Sequence, residues 1–199
     1  MACSKAFGHR VGVTVAKTTY PTHSTTTEPP EIDRVTMADG RTLLLRHIQA
    51  RDVVPLQRGF ARLSPEEVRM RFLHPLTELP HDFAVHLCDL DPQTSIAFVF
   101  IDPPESPELE VRGVARAYID PTTLSAEFAI VVQRQYTGQG LGSRLMRCLI
   151  DECRQRGAVE IWGDVLLEND PMMRLCERLG FHRHSQIGDP GVLQMRLAL

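Results

Sequence analysis

Between Val131 and Met146 the chain reads VVQRQYTGQGLGSRLM, with Gly138, Gly140 and Gly142 standing between a β-branched run and an amphipathic stretch. Glycines at a helix start let an anion approach backbone N–H groups at the positive end of the helix dipole. Other uses of such a loop compete. A Walker loop requires G-x-x-x-x-G-K-[ST], and this segment has no lysine. A dinucleotide fingerprint requires glycine or alanine where Ser143 stands, and it is followed by more βα units than remain here. A tight turn that uses the glycines only for positive φ is the plainest alternative. Just upstream, Glu127 interrupts the apolar run AEFAIVV. A carboxylate has little reason to sit in such a strand unless it meets a cleft or water, and in a cleft it is a candidate general base whose pKa burial would raise. The alternative is an exposed strand carboxylate, which the period of two permits.

Other reactive side chains are less informative. Cys3, Cys88, Cys148, Cys153 and Cys176 are odd in number, scattered, and form no C-x-x-C pair. That pattern suits a reducing, cytoplasmic compartment with the thiols as small buried hydrophobes. His182 and His184 share a strand face, but two unaided histidines are more often surface residues, and no metal is expected. Arg144 and Arg147 follow the glycines at helical positions, where contact with phosphate and plain solvation compete.

These residues must be positioned by one core. The chain has 199 residues, 43% hydrophobic and 24% charged, which is enough for a single substantial domain. No apolar run approaches the roughly 20 residues of a membrane span, so no membrane partner is expected. A net charge of −3 argues against a broad nucleic-acid surface. From Met1 to Thr27 there are seven threonines and no acid, which predicts a flexible tail over 1–34 and a folded domain over 35–199; an organellar transit peptide is the sharper alternative.

Asp39-Gly40 between two apolar runs predicts a hairpin. RDVVPLQRGFARL, SPEEVRMRF and PHDFAVHLC predict three helices, the second capped by Ser64 with Pro65 and Glu67 in its first turn. TSIAFVFI, LEVRGVARAYI and SAEFAIVV predict an antiparallel meander. After the glycines, Leu141, Leu145, Leu149 and Cys153 lie on one helical stripe that stops at Gly157. A strand AVEIWGDVLL, a helix DPMMRLCERLG and a strand pair around GDPG complete an α+β order rather than a regular βαβ array.

Gln135-x-x-Gly138-x-Gly140 fits the pattern [RQ]-x-x-G-x-[GA]. With AEFAIVV before it, and IWGDVLLEN, Asn169 and MMRLCERLGF after its helix, the region from Val35 to Leu199 resembles the GNAT superfamily of acyl-CoA-dependent N-acyltransferases. LSPEEVRMRF, AEFAIVV, GQGLGSRLM and LLENDPM are most similar to Pat-type protein lysine acetyltransferase domains. The resemblance implies a mixed, largely antiparallel sheet flanked by helices, with a splayed parallel strand pair forming the acyl-CoA site. It implies acetyl-CoA as donor and direct attack by a primary amine, a protein lysine, with Glu127 as base. Contacts to acetyl-CoA would come from Ile130, Val131, Val132, Gln135, Gly138, Gln139, Gly140, Leu141, Gly142, Ser143, Asn169 and Met172, and a backbone N–H between Phe128 and Val131 would polarise the thioester.

Asn169 also reads as a helix N-cap, a role compatible with ligand contact. Cys176 stands where many members carry a tyrosine acid; it is expected to pack rather than to donate a proton, and Tyr118 and Tyr136 are alternatives. Some relatives carry a nucleotide-sensing or CoA-ligase-like domain, for which residues 1–34 offer no room. A small amine acceptor, and a non-catalytic acyl-CoA-binding module, are the competing functional readings.

Overall fold

The computed structural model of the chain describes residues 31–73, 75–185 and 191–199. Most of the expected tail, and most of the turn GDPG, lie outside the described residues. The fold is α+β. Strands β1 (Asp33–Thr36), β2 (Thr42–His47), β3 (Ser95–Ile101), β4 (Val111–Ile119), β5 (Ser125–Val132), β6 (Glu160–Leu166), β7 (His182–Ser185) and β8 (Val192–Ala198) form one sheet in the order β1-β2-β3-β4-β5-β6-β8-β7. Every neighbouring pair is antiparallel except β5 and β6.

Among the described residues, five α-helices cover the sheet: α1 (Val53–Ala61), α2 (Pro65–Phe72), α3 (His81–Cys88), α4 (Leu141–Gln155) and α5 (Asp170–Arg178). The central strands are buried on both faces, and for that reason SIAFVFI is a nearly continuous apolar run. Ile96, Phe98 and Phe100 pack with Leu141, Leu145, Leu149 and Cys153 of α4, while Ala97, Val99 and Ile101 pack with Leu56, Phe60, Phe72 and Leu87 of α1, α2 and α3. Helix α5 places Met173 and Cys176 in the α4-side core. The α1 helix lies so close to β4 that a Cβ on Gly59 would sit 2.1 Å from the Val111 carbonyl oxygen.

The elements agree with the sequence reading, with three adjustments. β1 begins at Asp33, two residues before Val35. The hairpin of β1 and β2 turns through Gly40 at φ +83°, and α4 gives way to Gly157 at φ +77°, both positions where glycine relieves the strain of the left-handed region. A 3-10 turn at Ala50–Asp52 precedes α1; there Asp52 is buried and bidentate to Arg46 at 2.7 and 2.8 Å. The terminal hairpin does not extend the sheet in chain order, because β8 inserts beside β6 and leaves β7 at the edge.

Candidate active site

The parallel pair sets the site. β5 and β6 pair at three positions only: Ser125 with Glu160, Ala126 with Ile161, and Glu127 with Trp162. Beyond Glu127, β5 stays paired with β4 as far as Val132, and β6 stays paired with β8 as far as Leu166. Each strand follows its outer neighbour, so the two diverge and open a cleft of about 690 Å³. The first residues past the last rung fit this divergence. A Cβ on Gly163 would lie 2.8 Å from the ring of Phe128, so the ring occupies side-chain space that β6 gives up; on its other side it meets Phe181 edge-on at 5.4 Å.

Glu127 sits at the vertex. It is 7% exposed and lines the cleft, so it faces inward rather than to bulk solvent. Phe128, Ala129, Ile130, Val131 and Val132 continue along the same wall, and Asp164 and Val165 come from β6. Helix α2 supplies Glu66, Glu67, Met70 and Arg71, and α5 supplies Pro171, Met172, Arg174, Leu175 and Arg178.

The position of α2 follows from its cap. The Ser64 Oγ accepts from the Glu67 N–H at 3.2 Å, and the Ser64 N–H donates to Glu67 Oε2 at 2.8 Å. The second oxygen of Glu67 accepts from the Arg134 N–H at 2.8 Å, and Arg69 forms an ion pair with Glu168. One short helix is thereby tied to the segment that follows β5 and to the one that follows β6.

The glycine loop closes another side, where Gly138, Gly140, Gly142 and Ser143 all line the cleft. Gly138 and Gly140 have φ of +75° and +85°, and a Cβ on either would meet nothing within 4 Å. The protein therefore leaves open space in front of both. Gly140 is the N-cap of α4 and offers no side-chain acceptor, and the first turn carries no acid. Since first-turn N–H groups have no partner inside a helix, this terminus is open to an external acceptor.

The loop is anchored from behind by Tyr136, 1% exposed, whose hydroxyl accepts from Arg41 Nη1 at 2.8 Å and whose ring lies 5.1 Å from Arg41 and 5.8 Å from Arg112. Burial, ahead of the two arginines that oppose it, raises the Tyr136 pKa above the ordinary phenol value.

Of the residues singled out in the sequence, Glu127, Ile130, Val131, Val132, Gly138, Gly140, Gly142, Ser143, Asn169 and Met172 are brought together around the cleft. Gln135, Gln139 and Leu141 are not part of its lining. The Leu141 side chain is 1% exposed because it begins the apolar stripe of α4, and only its backbone belongs to the helix terminus. Gln135 donates to Gln133 Oε1 at 3.2 Å, and Gln139 donates back to the Gln135 carbonyl at the same distance. Asn169 caps α5, its Oδ1 accepting from the Met172 N–H at 3.2 Å, and lines the cleft as well. Arg144 pairs with Asp33.

Cys176 is fully buried in the α4-side core, and burial raises its thiol pKa to about 12. Its position and its proton affinity both suit packing rather than proton transfer to a departing group. Among the described residues no three His, Cys, Asp or Glu side chains are gathered to hold a metal, and His182 and His184 are exposed.

Asp164 and Arg71 are among the cleft residues that the sequence reading did not single out. Asp164 interrupts β6 much as Glu127 interrupts β5, a signal that was present; it accepts from Gln194 Nε2 at 3.2 Å. Arg71 is 6% exposed at the end of α2, where a short helix with two arginines and two glutamates reads as a solvated face. Burial lowers its pKa well below the ordinary arginine value; the Arg116 charge acts in the same direction and Glu127 in the opposite one.

Comparison with known proteins agrees with this geometry. The sequence profile of the acetyltransferase (GNAT) family matches residues 63–181. An acetyltransferase of Pseudomonas aeruginosa is 33% identical over 161 residues, 81% of this chain and 86% of the relative. The ribosomal protein bS18-alanine N-acetyltransferase of Escherichia coli is 38% identical over 70 residues, 35% of this chain and 45% of that protein. Among solved structures, the GNAT domain of Streptomyces lividans PAT superposes with a TM-score of 0.72 at 22% identity, covering 84% of this chain and 96% of that one. A Salmonella typhimurium protein solved with acetyl-CoA superposes with a TM-score of 0.62 at 18% identity, covering 78% and 93%. The loop, the splayed strands and these similarities lead to one assignment: the chain belongs to the GNAT family and is an acetyl-CoA-dependent N-acetyltransferase.

Proposed function

We propose that the chain acetylates a protein lysine side chain, in the cytoplasm, by direct attack with Glu127 as the general base. The observation that carries this reading is the end of the β5–β6 pairing at Glu127 and Trp162. That break leaves the β6-facing edge of Phe128 to Val132 to pair with the amides of the pantetheine arm. The first-turn N–H groups of α4, at Gly142, Ser143 and the Leu141 backbone, receive the pyrophosphate. Asn169 and Met172 border the arm from α5. With the donor laid along β5, its thioester lies toward the vertex, beside Glu127.

A lysine amine has a pKa of about 10.4, so fewer than about one in 10³ is neutral at pH 7. In this mechanism the Glu127 carboxylate takes the ammonium proton, and the neutral nitrogen forms a bond to the thioester carbonyl carbon. A β5 backbone N–H stabilises the resulting oxyanion. Collapse breaks the C–S bond and releases CoA as a thiolate, which takes up a proton from solvent, while the amide nitrogen gives its second proton to solvent and Glu127 later returns its own there. Five carboxylates, Glu66, Glu67, Glu127, Asp164 and Glu168, line the cleft beside four arginines, Arg71, Arg134, Arg174 and Arg178, so its lining serves both an anionic donor and a cationic amine. Free thiols at Cys88, Cys148, Cys153 and Cys176 suit a reducing compartment.

The test is an acceptor panel with acetyl-CoA, in which folded proteins bearing surface lysines, peptides with a free N-terminus, and small amines are offered separately. Acetyl-lysine on protein is the expected product. Turnover of small amines alone, or of N-terminal peptides alone, would replace the acceptor; CoA binding without thiol release from any acceptor would replace the enzyme reading with a binding module.

A further inference from the structure

On the sheet face covered by α1, α2 and α3 lies a second, smaller cavity of about 40 Å³. Its lining is largely apolar, with Leu56, Phe60, Leu87 and Val131, but it includes three arginines, Arg71, Arg112 and Arg116, and, among the described residues, no carboxylate. Arg112 is satisfied from the far side, with Nε to Asp102 at 3.0 Å and Nη1 to Glu110 at 2.6 Å. Arg116 is in a different situation. It is 6% exposed, its Nη2 donates to the Leu87 carbonyl at 3.1 Å, and among the described residues its Nε has no hydrogen-bond partner.

Arg71 and Arg116 are close enough for their charges to repel, and Glu127 is the carboxylate that acts on Arg71 against that repulsion. Burial brings the Arg116 pKa down to about 10, opposed by the Cys88 thiol alone. Arg116 is therefore a buried cation whose hydrogen-bonding capacity is incompletely met among the described residues, and uncompensated buried charge is costly. A cavity of this size holds about three water-sized atoms, the heavy-atom count of a carboxylate.

We propose that this cavity binds a small monovalent anion, a carboxylate or a halide, against Arg116 and Arg71. Such an anion would supply the acceptor that Arg116 Nε lacks, through a charge-assisted hydrogen bond. Arg71 and Val131 line both this cavity and the larger cleft, so the anion sits across a shared wall from Glu127. Its charge offsets that of Arg71 and raises the basicity of the Glu127 carboxylate; this consequence rests on Glu127 being the base, whereas the site itself does not. The same chemistry has two sources, an anion free in solution or a carboxylate carried by the acceptor.

Thermal unfolding without acetyl-CoA tests the site independently of the reaction. Formate, acetate or chloride is titrated at constant ionic strength against gluconate, a carboxylate too bulky for the cavity. The expected result is a saturating rise in Tm of about 3 °C for the wild type and a flat response for Arg116→Met. Equal, unsaturating responses in the two proteins overturn the proposal. If Arg116→Met does not fold, wild-type crystals in bromide decide it: an anomalous peak against Arg116 Nε supports the site, and an empty cavity overturns it. Turnover of an amine bearing a carboxylate, compared with its amide, then separates the sources. A preference lost in Arg116→Met assigns the anion to the acceptor, and saturable stabilisation without that preference assigns it to solution.

Discussion

Glu127 and Arg116 are both charged residues buried in apolar strands, and only one of them was singled out from the sequence. The reasoning applied to Glu127 holds equally for Arg112 and Arg116, because a buried charge in a strand always needs an explanation. For Arg112 the explanation is an ion-pair network with Asp102 and Glu110, which no local spacing announces, since Asp102 stands at the head of a proline-rich loop. For Glu127 it is the vertex of the cleft. The Glu127→Gln variant preserves shape and hydrogen bonding but removes the proposed base. Acetyl-CoA affinity, measured by calorimetry, should be retained, and turnover near neutral pH should fall by roughly 10² to 10⁴. The deficit should narrow as pH rises toward the amine's own pKa, where neutral acceptor becomes abundant. A full rate across that range would make Glu127 a structural carboxylate.

At the scale of elements, the start of α4 and the β5–β6 divergence can be probed separately. Ser143→Asp places a carboxylate in a first turn that has none. At a helix N-terminus that charge stabilises the fold by about 0.3–1 kcal/mol, yet it repels an incoming pyrophosphate. Stability, read from the urea midpoint, should therefore rise while acetyl-CoA affinity falls by tenfold or more on the order expected of one like-charge contact. Parallel changes in the two quantities would count against the loop as the phosphate site. Gly163→Ala adds a Cβ at 2.8 Å from the Phe128 ring, which is held by Phe181 in turn. Overpacking of this kind costs about 1–3 kcal/mol, and an unchanged urea midpoint would show that the ring yields freely. The α4 terminus was legible because glycines, stripe and stop are adjacent in sequence. The Phe128–Gly163 contact was not, since it joins residues 35 apart that meet only after α4 has returned the chain.

The whole molecule keeps buried thiols in its core, and this gives its stability a pH dependence. Burial raises the thiol pKa of both Cys153 and Cys176 to about 12, above the ordinary value of 9.0. Between these limits the unfolded chain loses protons that the folded one keeps, so unfolding becomes easier as pH rises: the contribution is complete below about pH 9 and is lost toward pH 12. The slope is about 1.4 kcal/mol per pH unit for each thiol. Urea unfolding from pH 8 to 11 should show it, and Cys176→Ala should flatten the slope while leaving turnover near wild type; an unaltered slope would mean that the thiol ionises freely in the native state. Local pattern determined the elements of this protein, together with the glycine loop, Glu127 and Asn169, because periodicity, caps and turn residues act over a few positions. Which strands lie side by side was decided by tertiary structure. The insertion of β8 beside β6, the early end of the β5–β6 ladder, and the company that Arg71 and Arg116 keep all depend on long-range pairing and burial. Those interactions are selected by the free energy of the assembled core, and no short stretch of sequence contains both partners.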